Sequence, residues 1–254
     1  MPRTERKVSK TDIYHVILRG TNKQLIFEET KDYKKFLACV SEVKEISDFK
    51  LFAYCLMGNH VHLLIKTGKE PLSQIFKRIG ARYVFWFNWK YGRNGHLFQD
   101  RFLSEPVESD EYFIIVLSYI YQNPVKAGLC KLPQDYEWGS RKHLGKGETA
   151  DENELFNIVP LETILKYEME EVQEEVLDLK PGRKAAIPDA EALNLLKTIG
   201  CVKSVAEFQA LDRKTQAQTL KDLCKNGASI RQLARLSGLG KNVVERLCKN
   251  RQDA

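Results

Sequence analysis

The order of strand-like and helix-like segments in the first half of this chain restricts it to few folds. Alternating or continuous apolar runs predict strands, and apolar residues at helical spacing predict helices. The predicted strands are 11–19, 49–57, 61–66 and 96–107, and the predicted helices are 30–47, 71–91 and 110–122. This β-α-β-β-α-β order, followed by a helix, is the split βαβ pattern of a ferredoxin-like sheet. We predict an α+β domain with an antiparallel sheet, helices on one face and the other face free to bind or react.

Charge divides the chain into three parts. The net charge of +6 is the balance of +8 over residues 1–147, −9 over residues 148–180 and +7 over residues 181–254. Basic modules attract polyanions, and nucleic acid is the first candidate. The charge distribution therefore favours a protein that acts on nucleic acid, although many soluble proteins are mildly basic.

Domain boundaries follow the same division. We predict a catalytic domain over 1–147, an acidic helical linker over 148–188 and an all-α domain over 189–254. The apolar spacing of the acidic segment is helical, and a solvated connecting helix is its simplest interpretation. Pro181-Gly182, with a further proline at 188, predicts a hinge before the last domain.

Cysteine usage and apolar runs indicate the compartment. The six cysteines are scattered without a Cys-x-x-Cys pair, which argues against a zinc ribbon and a disulfide framework. No apolar run is long enough to span a bilayer, and no signal-peptide segment follows the N-terminus. We expect a reduced cytoplasmic protein that works at the bacterial nucleoid and makes no membrane contact.

Two histidines interrupt the apolar run that begins at Asn59. Side chains alternate faces along a strand, so His60 and His62 point to the same side. Two imidazoles on one strand can offer two nitrogens to a divalent metal. Taken alone, the pair fits a metal site less often than two half-exposed histidines in a sheet.

The helix predicted over 110–122 carries a tyrosine and an asparagine on one face. Tyr119 and Asn123 are four residues apart, and Pro124 is expected to stop the helix at Asn123. The amide oxygen of Asn123 is then free to act as a hard metal ligand. A phenol is a poor nucleophile at neutral pH and becomes useful when a metal polarises its target. By itself, Tyr119 is much better explained by packing of the helix against the sheet.

Several ordered motifs together resemble a known family. They are Tyr14-His15 with Arg19-Gly20, then Leu56-Met57-Gly58-Asn59-His60-Val61-His62-Leu63-Leu64, then Gln99-Asp100-Arg101-Phe102, then Tyr119-Ile120-Tyr121-Gln122-Asn123-Pro124-Val125-Lys126-Ala127-Gly128-Leu129. Over roughly residues 8–145 the chain resembles the HUH single-strand transposases with one catalytic tyrosine. The nearest branch is the one associated with repetitive extragenic palindromes.

The resemblance implies a set of site residues. It makes His60 and His62 ligands of Mg²⁺ or Mn²⁺, Tyr119 the nucleophile and Asn123 the third protein ligand. Insertion-sequence members typically have glutamine in place of Asn123, so Gln122 is a substitute ligand. Tyr121 is a rival nucleophile, but it lies about 200° from Tyr119 around a helix, so only one of them can face the histidines. The place of His15 near the start of the first strand fits a role behind the ligands, a DNA contact or packing.

The expected DNA contacts are basic residues in the motifs and in the aromatic and basic stretch over residues 82–93. Aromatic residues stack on bases of single strands while Lys and Arg follow the phosphates. Because the helical spacing of the aromatics mostly indicates core, the DNA role is assigned to the basic positions. They are Arg19, Arg82, Lys90, Arg93 and Arg101.

The segment 229–247 resembles a helix-turn-helix. A glycine at 238 permits the turn, and Ile230, Leu233, Val244 and Leu247 are the expected core. Lys241, Asn242 and Arg246 would then face the major groove of duplex DNA. A helical dimerisation or packing domain is the alternative.

These features support one main functional hypothesis and two alternatives. The resemblance implies a metal-dependent endonuclease and strand transferase that cuts single-stranded DNA beside hairpins through a 5′-phosphotyrosine, and that works as a homodimer. One alternative is a non-catalytic or domesticated DNA-binding regulator that kept the fold. The other is a metal-dependent hydrolase without a covalent step.

Overall fold

A four-stranded antiparallel sheet organises the N-terminal domain. The computed structural model describes residues 6–99, 101–146, 150–168, 176–178 and 187–249. The strands lie in the order β2-β3-β1-β4, with bounds β1 Ile13–Arg19, β2 Lys50–Met57, β3 His60–Lys66 and β4 Leu103–Pro106. Both central strands therefore come from the segments that carry histidines, and the predicted ferredoxin-like fold is confirmed.

Helices cover both faces of this sheet. On one face, α1 (Thr30–Ser47) and α2 (Leu72–Tyr91) pack on the side of β3 that carries Val61 and Leu63. On the opposite face, α3 (Asp110–Lys126) packs beside Leu64. The first two helices match the predicted layer, but the face expected to be free is partly covered by α3, the helix that carries Tyr119. This placement brings α3 to the side of β3 that carries the histidines.

The first part of the acidic segment belongs to the same layer. Helices α4 (Glu152–Ile158) and α5 (Leu161–Glu168) bury Leu155 and Ile164 against α3 and β2. Asp151 accepts the backbone N–H of Leu51 at 2.7 Å. Residues 150–168 therefore pack on the N-terminal domain, whereas a solvated connecting helix would have left their apolar side chains exposed. The predicted hinge at Pro181-Gly182 lies outside the described residues.

The fourth strand is much shorter than the predicted 96–107. On β1, Ile17 pairs with Leu103, whereas the next contact is an isolated bridge between Gly20 and Phe98. More residues separate Phe98 from Leu103 than separate Ile17 from Gly20, so the intervening chain cannot stay in register with β1. Only Leu103–Pro106 forms the ladder, and the prediction was wrong for the residues before it.

The helix that carries Tyr119 is longer than predicted. It continues through Pro124 to Lys126, and the N–H of Ala127 closes the last turn on the carbonyl of Asn123 at 3.0 Å. Proline disfavours but does not forbid helical geometry at the preceding residue. Here Pro124 is buried, and the missing N–H affects one hydrogen bond only. The prediction that the helix ends at Asn123 was wrong, and Asn123 lies within it.

Five short helices form the C-terminal domain. They are α6 Asp189–Ile199, α7 Val205–Ala210, α8 Arg213–Lys225, α9 Ile230–Ser237 and α10 Lys241–Lys249. Leu233, Val244 and Leu247 are buried in its core as expected. Gly238 joins α9 to α10 in the left-handed region at φ +67°, where glycine carries no Cβ penalty. Among the helices in the described residues, none is long and apolar enough to cross a membrane.

The C-terminal domain contacts the N-terminal domain at a buried carboxylate. The side chain of Glu28 is 2% exposed and lies 3.6 Å from the ammonium of Lys197. It also accepts the N–H of Val205 at 3.2 Å. Helix α9 packs on the single 3₁₀ turn Thr21–Lys23, which follows β1. The two domains therefore meet beside the end of the strand that carries Arg19.

Candidate active site

Three histidines meet on the face of the sheet that α3 covers. His62 on β3 and His15 on β1 are both fully buried, and His15 Nε2 lies 3.0 Å from His62 Nδ1. Their rings stack with centroids 5.3 Å apart. If His62 Nδ1 carries the proton and donates it to His15, His62 Nε2 keeps its lone pair for a metal. The structure therefore places His15 directly behind His62.

His60 is oriented by its neighbour in the hairpin turn. His60 Nδ1 lies 2.7 Å from Asn59 Oδ1. The Nδ2 of Asn59 in turn donates to the carbonyl of Lys23 at 3.2 Å. With its Nδ1–H donated to Asn59, His60 presents Nε2 as the free nitrogen. Both histidines of the pair can therefore offer Nε2 on the same side of the sheet.

Tyr119 and Asn123 complete the cluster from α3. The ring of Tyr119 lies 5.6 Å from that of His62, centroid to centroid. Asn123 Nδ2 lies 3.3 Å from His62 Nε2, and the Asn123 side chain lies near enough to His60 to affect its pKa. Rotation of the amide exchanges its oxygen and nitrogen, which would present the oxygen where the two imidazoles converge. The predicted group of His60, His62, Tyr119 and Asn123 is thus brought together.

The other two polar candidates on α3 are placed differently. Tyr121 is 2% exposed and belongs to the apolar cluster between α3 and the sheet. Gln122 is half-buried at the position before Asn123. Tyr119 therefore combines contact with two histidine rings and the four-residue spacing to Asn123.

Burial keeps the three imidazoles neutral. It lowers the pKa of His15 to about 3 and that of His60 to about 4. The pKa of His62 is lowered well below its ordinary value by burial and by the charges of His60 and His15. Neutral imidazole is the form that binds a metal, so the site is ready for ligation at neutral pH.

We expect the metal-free protein to lose stability as the pH falls from 6.5 to 5. The unfolded chain protonates its histidines in this range, while the folded chain leaves these three neutral, so stability is lost on acidification. Each such histidine contributes up to about 1.4 kcal/mol per pH unit to the loss. Urea unfolding in the presence of a chelator measures it. His15→Gln should flatten the dependence, exposed His96→Gln should leave it unchanged, and a pH-independent free energy of unfolding would contradict it.

One acidic residue at the site was missed by sequence reasoning. Burial raises the pKa of Tyr119, and the neighbouring carboxylate of Asp178 raises it further. The segment is held in place because the N–H of Leu177 donates to Glu105 Oε2 at 3.0 Å. Nothing local in the sequence distinguishes Asp178 from the other acidic residues that precede it. It also lies far from Tyr119 along the chain.

The predicted DNA contacts fall into two groups. Arg19 lies beside the site, since its position on β1 pairs with His60 on β3. Arg82 lies 3.4 Å from Glu42, and Lys90 pairs with Glu29 and with buried Asp32, on the α1–α2 side of the sheet. Arg93 donates to Gln24 at 2.9 Å. The structure therefore brings only Arg19 of these to the histidine cluster.

A groove of about 1480 Å³ follows the edge strand β4. Arg101 lines it, as do the N-terminal residues Arg6 and Lys7 and the aromatic Phe98 and Phe102. The guanidinium of Arg6 stacks 3.7 Å from the centre of the Phe102 ring. Leu177, next to Asp178, also lines the groove, whereas Phe98 and Phe102 pack on the α1–α2 side of the sheet, opposite Tyr119.

The strands of the sheet and the five clustered side chains from His15 to Asn123 all lie in a part of the chain that matches a known protein family. Residues 8–123 match the family described as "Transposase IS200 like". The resemblance drawn from the sequence motifs is thereby confirmed, and the domain is that of a transposase-like enzyme.

Two named relatives narrow the resemblance. The chain is similar to a putative REP-associated tyrosine transposase of Haemophilus influenzae, at 27% identity over 50% of this chain and 81% of the relative. It is also similar to the REP-associated tyrosine transposase of Escherichia coli K12, at 24% identity over 51% of this chain and 75% of the relative. Each alignment spans about half of this chain.

Two solved structures also match. One is titled as the REP-associated tyrosine transposase bound to a REP hairpin, with a TM-score of 0.49, 21% identity, and coverage of 56% of this chain and 84% of that one. The other is a putative transposase from Deinococcus radiodurans, with a TM-score of 0.34, 14% identity, and coverage of 50% of this chain and 97% of that one.

Proposed function

We propose that this protein is a metal-dependent endonuclease and strand transferase that cuts single-stranded DNA beside hairpins. The observation that carries the proposal is the buried contact of Tyr119 with His62, on the same helix face as Asn123. The relatives named above are a REP-associated tyrosine transposase and a putative one. The sequence motifs resemble the branch associated with repetitive extragenic palindromes, and palindromic strands can fold into hairpins. A nucleophile beside two neutral imidazoles suits phosphodiester chemistry.

The donor set fits a magnesium or manganese ion. His60 Nε2, His62 Nε2 and the Asn123 amide oxygen would hold it, because Asn59 and His15 engage the other two ring nitrogens. No cluster of three or more His, Cys, Asp and Glu side chains suited to a metal occurs in the described parts of the chain. The proposed set instead combines two imidazoles with one amide oxygen. When bound, the metal supplies polarisation of the phosphodiester and stabilises charge on the leaving oxygen.

The residues of this chain then carry out the transfer. The Oη of Tyr119 attacks phosphorus, the bond from phosphorus to the 3′ oxygen breaks, and a 5′-phosphotyrosine forms. The phenol loses its proton, and the departing 3′ oxygen gains one to become a free hydroxyl. Because the energy of the broken linkage is kept in the phosphotyrosine, another 3′-hydroxyl can attack it and restore a phosphodiester without ATP.

The C-terminal domain is proposed to bind duplex DNA. Lys241, Asn242 and Arg246 on α10 are exposed, as a helix that enters a major groove requires. The turn at Gly238 joins α10 to a second short helix, α9. Loss of duplex binding after substitution of all three residues, measured by gel shift, is the expected result.

A covalent-adduct assay tests the proposed chemistry. The protein is incubated with a panel of labelled single-stranded hairpins and Mg²⁺, and the products are separated on a denaturing gel. We expect a labelled protein band that a chelator prevents. Binding without an adduct on any hairpin would favour the non-catalytic regulator instead, and cleavage without an adduct would favour the hydrolase.

We expect Asp178→Asn to slow adduct formation about 100-fold at neutral pH, because a positioned general base contributes typically 10²–10⁴-fold. The carboxylate of Asp178 lies close enough to the phenol to raise its pKa, so it can accept the proton that the phenol must lose. Asn keeps the shape and removes the base. Single-turnover kinetics measure the rate, and neighbouring Leu177→Ala serves as the matched control. A faster reaction would show that the carboxylate instead blocks the position of the DNA phosphate.

A further inference from the structure

The contact between the two domains lies next to the candidate active site. Asn59 connects His60 to the carbonyl of Lys23 through hydrogen bonds of 2.7 and 3.2 Å. Lys23 belongs to the 3₁₀ turn on which α9 packs. One hydrogen-bonded residue therefore separates a proposed metal ligand from the surface of the C-terminal domain.

Four basic side chains belong to or closely flank the elements that meet at this contact. Arg19 and Lys23 come from the catalytic domain, and Arg231 and Arg235 come from α9. The pKa of Lys23 is lowered by burial and by the charges of Arg19, Arg235 and Arg231, so these like charges act on one another. Arg235 is paired with Asp189, whereas Arg231 is exposed. Such a group of cations repels itself unless an anion lies among them.

The placement of the two domains is held by close packing. Glu28, nearly fully buried, takes Lys197 and the N–H of Val205 from the C-terminal domain. At Gly238 a Cβ would lie 3.1 Å from Gln24 Oε1 of the catalytic domain and 2.2 Å from Gln209 Nε2. A larger residue at 238 would lie too close to both glutamine side chains, so the turn between α9 and α10 packs tightly against the catalytic domain.

We propose that Arg19, Lys23 and Arg231 form a cleft, shared by both domains, that holds the phosphates of single-stranded DNA flanking the scissile phosphate. The proposal rests on the proposed function for the position of that phosphate. Arg19 pairs in register with His60, so a strand held at the histidines passes Arg19 within a nucleotide or two. The C-terminal domain thus takes part in holding the strand that is cut, in addition to any duplex contact through α10.

The test measures binding without cleavage. In a Tyr119→Phe background, fluorescence anisotropy compares a labelled hairpin with a long single-stranded flank and the same hairpin with the flank trimmed. Arg231→Glu should weaken binding of the long-flank DNA about 10-fold and lower its salt slope by about 0.7, the value for one single-strand phosphate contact. Lys23→Asn should act in the same direction, and asparagine tolerates the positive φ of this residue.

Controls separate the outcomes. Lys214→Glu reverses an exposed charge on α8 and should leave binding and salt slope unchanged. Equal weakening for the trimmed hairpin would show that Arg231 holds the duplex stem, and an unchanged affinity in both variants would show that the cleft binds no DNA. Either result would overturn the inference. The proposed function would still stand if the wild type forms the covalent adduct. If the wild type forms no adduct, the binding comparison still tests whether the cleft holds single-stranded DNA.

Discussion

Substitution of Tyr119 by phenylalanine is expected to abolish the covalent adduct and strand transfer, by at least about 1000-fold, because the nucleophilic oxygen is removed. Phenylalanine keeps the ring that packs against His15 and His62, so the fold and the metal site should persist. Denaturing gels with labelled hairpin DNA measure the adduct. Thermal unfolding and anisotropy with the same DNA measure folding and binding, which should match those of the wild type.

The matched control is Tyr121→Phe, two residues along the same helix. Its ring lies in the apolar cluster between α3 and the sheet, and removal of its hydroxyl should leave adduct formation nearly unchanged. An adduct that survives in Tyr119→Phe and disappears in Tyr121→Phe would assign the nucleophile to Tyr121. Cleavage without any adduct in Tyr119→Phe would instead support a hydrolytic mechanism with water as the nucleophile.

The second large effect is expected for His62→Gln. Loss of a residue that orients a metal ligand lowers metal affinity roughly 10- to 100-fold. Because His62 is itself a proposed ligand, its loss should lower the affinity for Mn²⁺ by more than that, and cleavage should fall with it. His62 is the residue that contacts both His15 and Asn123, so its imidazole is central to the donor set. Isothermal titration calorimetry with Mn²⁺ measures the affinity independently of cleavage.

Two further histidine variants test how far this effect is specific to His62. His15→Gln removes the residue behind His62 and should weaken Mn²⁺ binding about 10- to 100-fold while cleavage persists at higher metal concentration. His96→Gln alters an exposed histidine and should change neither quantity. Wild-type affinity in His62→Gln would show that the metal, if needed, binds elsewhere.

Local sequence patterns were sufficient for the elements and for two short-range relations. The spacing of apolar residues predicted α1 with its observed bounds, Thr30–Ser47. Strand alternation placed His60 and His62 on one face, and the four-residue spacing placed Tyr119 beside Asn123. These relations depend on backbone geometry within one element, which is the same in every protein.

Errors arose where an element depends on its neighbours. Strand β4 begins only at Leu103 because the residues before it do not stay in register with β1. Helix α3 continues past Pro124 because that proline is buried. The acidic helices α4 and α5 pack on the sheet because α3 leaves part of that face uncovered. In each case long-range packing overrides a local preference.

The sequence by itself therefore determined the ferredoxin-like order of strands, the histidine pair and the tyrosine helix, because each is specified by residues close along the chain. Only the tertiary structure decided that His15 lies behind His62, that Asp178 reaches Tyr119 and that α9 packs beside Lys23. These contacts join residues that are distant along the chain. Their formation depends on strand register and on burial between separate elements, which no local pattern records.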